Sequence, residues 1–376
     1  VVTEPLTQAQ RDVVYAIYGF ERYKRTFSVR IASDYLSVLQ QLDQVENARE
    51  NYRSLVASTR RAVRLAEAGR LPEIQVDQAR QNELRARDRW VGSRESYRRR
   101  LDTFKISLGL PPDAAIELDQ SELERLSEVS DRLSASTIQP DEDEAPPADA
   151  PIVLVEPDRR GAGPLEMEER DAIILALDRR LDLRVEVGRV YDSQRGVVIA
   201  ADQLRADLTL LGSGSIGAGR SLSSVSLDDA EVRTDEASYS TLLNLDLGLE
   251  RTAERNAYRN SLIDLERAVR DVQALEDEIK LEIRNGLSGL LESRESTAIQ
   301  VESVAVAQRR VESTNLFLEA GRAEIRDLLE AQEALVSAQN ALTAALVSYR
   351  VGELELQRDL GVLEVNERGL WQEYVP

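Results

Sequence analysis

Near the end of the chain, apolar residues recur every seven positions. Leu328, Leu335, Leu342, Tyr349 and Leu356 form one row, and Ala331, Ala338, Ala345 and Gly352 follow three places after the first four. The mean spacing of about 3.5 residues is that of a coiled-coil seam. One seam position is large and the other small, so a neighbouring helix can come close. Val76, Ala79, Ala86, Trp90, Ser93, Tyr97 and Phe104 keep the same frame more loosely.

These two stretches are related. Each follows the tetrapeptide EAGR, Glu67 to Arg70 and Glu319 to Arg322, at an offset of 252 residues. At that offset Ala79 falls on Ala331, Ala86 on Ala338, Tyr97-Arg98 on Tyr349-Arg350 and Leu108-Gly109 on Leu360-Gly361, with no gap. The pattern reads as a duplication.

A long helical stretch precedes each EAGR. Leu6 to Glu67 has no Pro and only Gly19, and Glu250 to Glu319 has no Pro, with Gly286 and Gly289 inside. At 1.5 Å per residue each long arm reaches about 90–105 Å, and the short arm that follows about 50–60 Å. A left-handed Gly ends each long arm, and Pro72 suits the first turn of the next helix. EAGR is thus the tip of an antiparallel hairpin made twice. Residues 165–204 carry apolar residues at helical spacing and would fill out the first long arm, as one helix or two short ones. The matching filler for the second hairpin is expected upstream of Val1.

Two segments break the helical pattern. "PDEDEAPPADAP", Pro140 to Pro151, is acidic and Pro-rich and reads as a linker. "LTLLGSGSIGAG" (Leu208 to Gly219) and "YSTLLNLDLGLE" (Tyr239 to Glu250) alternate like strands. Leu243, Leu245, Leu247 and Leu249 point one way and Asn244 and Asp246 the other, with Leu242 the exception. Each strand is about 9–11 residues, enough to cross a bilayer when tilted. A single strand pair leaves its edges unsatisfied in lipid, so several would have to close a barrel. The other reading is a soluble β-hairpin cap. Of an aromatic girdle, only Tyr239 is in place.

Composition narrows the function. The chain has 376 residues with a net charge of −20, which argues against a nucleic-acid partner. Cys and His are both absent, which excludes disulfides, Cys/His zinc sites and Ser-His-Asp chemistry. There are only three Lys (Lys24, Lys105, Lys280) and no Gly-rich phosphate loop, so an enzyme is not expected, nor is a cofactor or metal. No apolar run is long enough for a transmembrane helix.

Taken in order, these features resemble the TolC family of outer-membrane efflux channels. The match lies in "AGR" and the helix after it at both tips, "ALDRRLDL" (Ala176 to Leu183) and the strand "LTLLGSGSIG". It extends to "LGLERTAERNAYR" (Leu247 to Arg259), "LGLPPD" (Leu108 to Asp113) and "EPLTQAQRDVVYAI" (Glu4 to Ile17). The resemblance implies a mainly α fold, with long antiparallel coiled-coil hairpins in a duplicated arrangement. A β-strand pair would contribute to a trimeric transmembrane β-barrel. It divides the chain into a first hairpin over 1–109 (tip near 68–74), an acidic equatorial connection over 110–164 and a helical segment over 165–206. A strand pair over 207–250, a second hairpin over 251–362 (tip near 320–326) and a tail over 363–376 follow. The chain then lacks one helix and two strands of the family, and would not close a barrel alone.

The resemblance also implies a function. A homotrimer in the bacterial outer membrane, with its helices in the periplasm, would be the passive conduit of an efflux or type I secretion system. Its partners would be a periplasmic adaptor, an inner-membrane pump of RND or ABC type, and outer-membrane lipid. Asp327 and Glu330, on one helix face, would ring the channel aperture with negative charge; their alternative is an ordinary solvated face. Gln75 and Gln78 occupy those places in the first copy. Gly69, Arg70, Leu71, Gly321, Arg322 and Ile325 would meet the adaptor, or serve turn geometry alone. Asn244 and Asp246 would face the lumen. Family members use an Arg two places past the second tip Gly to lock the closed state; here that place is Ala323, with Arg322 and Arg326 nearby. The rival readings are a soluble coiled-coil scaffold with a β-hairpin cap, and the periplasmic adaptor, whose single hairpin is flanked by Gly-rich β domains.

Overall fold

The duplication is legible in the backbone. In the computed structural model, α1 (Glu4–Glu67, 64 residues) is followed by α2 (Glu73–Ser107, 35 residues). Likewise α5 (Thr252–Glu319, 68 residues) is followed by α6 (Ile325–Asp359, 35 residues). The ends of α1 and α5, and both ends of α2 and α6, are 252 residues apart. Between the hairpins lie α3 (Glu169–Arg179), α4 (Leu181–Asp202), β1 (Asp207–Ser215) and β2 (Ser238–Asp246). A small antiparallel pair, β3 (Glu364–Val365) and β4 (Trp371–Gln372), closes the chain.

The structure describes residues 3–119, 121–122, 125, 151, 162–215, 237–246, 250–366, 369–372 and 374. The acidic segment over 140–150, and the expected strand residues Ile216 to Gly219 and Leu247 to Leu249, lie outside the described residues.

The chain divides into two units. One comprises residues 1–16 and 183–275; the other comprises residues 17–182 and 276–376. In the first, α4 lies on the opening turns of α1. Tyr15 donates to Asp192 Oδ2 at 2.6 Å, and Arg11 pairs with the same carboxylate and donates to the Gly188 carbonyl at 3.0 Å. A Cβ on Gly188 would sit 2.5 Å from the Tyr15 hydroxyl, so the close approach requires glycine.

In the second unit the seams do the packing. The seam residues Leu328, Ala331, Ala338, Ala345, Tyr349 and Leu356 are all buried in α6. Large and small residues interdigitate with α5: Leu356 fills the space beside Gly286, and Leu290 the space beside Gly352, each 3.1 Å from where a Cβ would stand. Leu290, Ile279, Ile283 and Leu356 are almost wholly buried, each contributing about 1.5–3 kcal/mol. On its other side α6 meets α1 through Leu36, Leu39, Leu346 and Val347. Polar steps join the same helices, Gln332 to Ser54 at 2.8 Å and Thr343 to Asp43 at 2.7 Å.

Helix α3 ends where Arg180 turns extended (φ −70, ψ 125) before α4 begins. The Arg180 guanidinium, 5% exposed, holds Asp182 with two hydrogen bonds at 3.1 and 2.6 Å and also pairs with Glu282 of α5. Burial works against this charge, but bonds and attraction to the two carboxylates outweigh it and the pKa is raised.

Candidate functional site

Both hairpin tips are built the same way. Gly69 (φ 69) donates to the Ala66 carbonyl at 2.9 Å and Arg70 to Leu65 at 2.9 Å. Gly321 (φ 71) donates to Leu318 at 3.1 Å and Arg322 to Phe317 at 2.8 Å. These are Schellman ends, which satisfy carbonyls left open by the helix and require a left-handed residue. Beneath them Leu55, Ala62, Val76, Ala79, Ala86, Ile325 and Leu329 form one core drawn from both hairpins, with Leu71 and Leu318 against it. Arg61 joins the hairpins, bonding Asn315 at 2.9 Å and Glu319 at 2.6 Å.

This packing sorts the expected tip residues. Gly69, Arg70, Gly321 and Arg322 are exposed and Leu71 is half-buried. Ile325 is 3% exposed. Its side chain belongs to the tip core rather than to the surface, one turn before the buried Leu329. Asp327 accepts the Glu324 N–H at 3.1 Å, one half of a capping box at the start of α6. Glu330 is exposed and accepts from Arg310 of α5 at 2.8 Å. The two carboxylates are therefore near neighbours in the first turns of α6, each with a hydrogen-bond donor.

The strand pair has two unlike faces. Directly opposed residues share a face in an antiparallel pair. Leu208 opposes Leu245, Leu210 opposes Leu243, Gly212 opposes Thr241 and Gly214 opposes Tyr239. On the other face Thr209 opposes Asn244, Ser213 opposes Ser240 and Ser215 opposes Ser238. Both serine pairs are hydrogen-bonded at 2.8 Å. Leu211 opposite Leu242 is the apolar exception. The four leucines of the apolar face are 55–67% exposed. Asn244 is exposed on the polar face, and Asp246 holds its register place opposite Asp207. Arg251, just after the pair, donates to the Gln203 carbonyl just before it at 2.6 Å and ties the two ends together.

Sequence reasoning missed a buried polar cluster in the second unit. Arg294 and Glu166, both nearly inaccessible, pair at 3.2 Å. The same carboxylate accepts from Tyr349 at 3.3 Å and from the Gly163 N–H at 3.3 Å. Burial, followed by the repulsion that the Glu353 and Glu166 carboxylates would exert on a phenolate, raises the Tyr349 pKa. The seam spacing marks Tyr349 as a core residue, but nothing local marks Glu166 as its partner. Among the described residues no group of Asp and Glu is placed to hold a metal, and no helix is long and apolar enough to cross a membrane.

No family model and no curated protein matches the sequence. Solved structures do. The fold, with paired long hairpins and an exposed strand pair between them, is that of outer-membrane channel proteins. VceC from Vibrio cholerae superposes with a TM-score of 0.68 at 17% identity, over 94% of this chain and 74% of VceC. CusC, described for conformational changes accompanying folding and transmembrane channel formation, gives 0.70 at 13% identity over 94% and 72%. The open state of MtrE from Neisseria gonorrhoeae gives 0.66 at 13% identity over 94% and 70%. At these identities the likeness is one of fold, and it agrees with the resemblance read from the sequence.

Proposed function

We propose that the chain is a protomer of a homotrimeric outer-membrane channel, a passive conduit in a tripartite efflux or type I secretion system. The observation that carries this reading is the strand pair. Its apolar face exposes Leu208, Leu210, Leu243 and Leu245 with nothing packed on them among the described residues. Its other face carries hydrogen-bonded hydroxyls and Asn244. Lipid on one side and a wet lumen on the other suit such a ribbon, and closure with strands of other copies would satisfy its edges. A soluble cap would hide those leucines. The fold shared with known channels supports the same reading.

The remaining assignments follow from it. The helices stand in the periplasm. The exposed tip residues Gly69, Arg70, Gly321 and Arg322, with Leu71, meet a periplasmic adaptor, which couples the channel to an inner-membrane pump of RND or ABC type. Asp327 and Glu330 ring the aperture and select for cations. No bond is made or broken in the protein. The test is conductance of the purified full-length protein in planar bilayers. The expected result is a cation-selective pore whose selectivity falls several-fold in Asp327→Asn/Glu330→Gln. A protein that never inserts, or whose selectivity ignores both substitutions, contradicts the channel or the aperture assignment respectively.

A further inference from the structure

Four arginines line one small cavity in a chain of net charge −20. Arg22 and Arg25, three residues apart, share a face of α1. Arg180 stands at the turn between α3 and α4, and Arg358 lies at the end of α6. The other charged groups in the wall are Asp182 and Asp359, and the cavity holds about 40 Å³. Like charges gathered in a partly buried place cost free energy unless each is answered.

The answers are uneven. Arg180 uses all three of its guanidinium nitrogens on Asp182 and Glu282. Arg22 meets the same Asp182 through Nη1 at 2.7 Å. Arg358 holds Asp359 through Nε and Nη2, at 2.8 and 3.0 Å. Arg25 has no carboxylate at ion-pair distance among the described residues; its Nη1 donates to the Gly361 carbonyl at 2.9 Å. Burial lowers the Arg25 pKa, and the pull of Glu21 and Glu364 does not restore it. Glu21 is itself paired with Lys24 at 2.8 Å, and Glu364 is exposed. The carboxylates in the wall are thus engaged, while Arg22, Arg25 and Arg358 each keep N–H groups without an assigned acceptor.

We propose that this cavity is a binding site for one small monatomic anion of the chloride class, held by Arg22, Arg25 and Arg358. The volume suits it. A water-sized occupant needs about 10–15 Å³, so a halide fits with little else beside it. Phosphate or sulfate would press its oxygens against Asp182 and Asp359. The anion ties α1 to the end of α6 and supplies the charge that Arg25 lacks.

Thermal unfolding of the purified full chain tests this, in chloride and in gluconate at equal ionic strength so that screening is the same in both. Chloride should raise the midpoint by about 2–4 °C. Arg25→Met should abolish the rise, and Arg30→Met, at an exposed arginine further along α1, should keep it. Chloride NMR gives a second readout: the line should broaden with the protein and sharpen again with Arg25→Met. If Arg25→Met does not fold, Arg22→Met, at a side chain 52% exposed, takes its place. Equal midpoints in the two salts, or effects that survive these substitutions, overturn the proposal. Line broadening without a rise in midpoint marks an adventitious ion only and overturns it too. None of these readouts depends on conductance, so their failure leaves the channel reading untouched.

Discussion

Single glycines fix where this chain turns. Gly69, Gly109, Gly321 and Gly361 all have φ between 69 and 75, and they form two pairs at the duplication offset. Their conformation disfavours any side chain by roughly 1–2 kcal/mol. Gly361 carries a second constraint, because a Cβ there would stand 3.0 Å from the Arg179 carbonyl oxygen, whereas Gly109 faces open space. Gly109→Ala should therefore lower stability by about 1 kcal/mol and Gly361→Ala by about 2–3 kcal/mol. Thermal unfolding of the two variants side by side checks the order; equal losses would mean the Arg179 contact gives way freely. The conformation of Gly69 and Gly321 was legible in the sequence, since each ends a long helical run. The closeness of Arg179 was not, because it depends on a contact between residues far apart in the chain. The same holds for Arg180 with Glu282 and for Arg294 with Glu166. Buried ion pairs look like any other charges until the partner element is placed.

At the scale of elements, periodicity was a good guide. Most of the seven-residue rows of α6 became its buried face, with Leu335, Leu342 and Gly352 half-buried, and the large-small alternation became the fit of Leu356 and Leu290 beside Gly286 and Gly352. The same pattern did not reveal that Ile325, one place off those rows near the turn, is buried in the tip core. The strand alternation was legible too, but its meaning required the register. Only the pairing of Leu210 with Leu243 and Thr209 with Asn244 shows that both strands put the same chemistry on the same side. If that apolar face meets lipid, Leu243→Arg should cost about 2–4 kcal/mol in the membrane while Asn244→Arg, on the polar face, is mild. The fraction of each variant recovered in folded, membrane-inserted form measures this. Equal tolerance at both positions would fit a hairpin cap in water.

For the whole molecule, the sequence sets limits on chemistry more firmly than it assigns a role. Without Cys or His, the chain has no thiolate or imidazole to serve as nucleophile, base or metal ligand. The structural features it presents are hairpins joined by seams, carboxylates in the first turns of α6 and a ribbon with a polar and an apolar side. The central claim is that three copies build a channel. Electron microscopy of the natural full-length protein, extracted in detergent from membranes, tests it most directly. The account predicts a threefold particle with a transmembrane barrel formed from the strand pairs. A soluble rod without threefold symmetry would contradict it and leave the strand pair as a cap on a coiled coil.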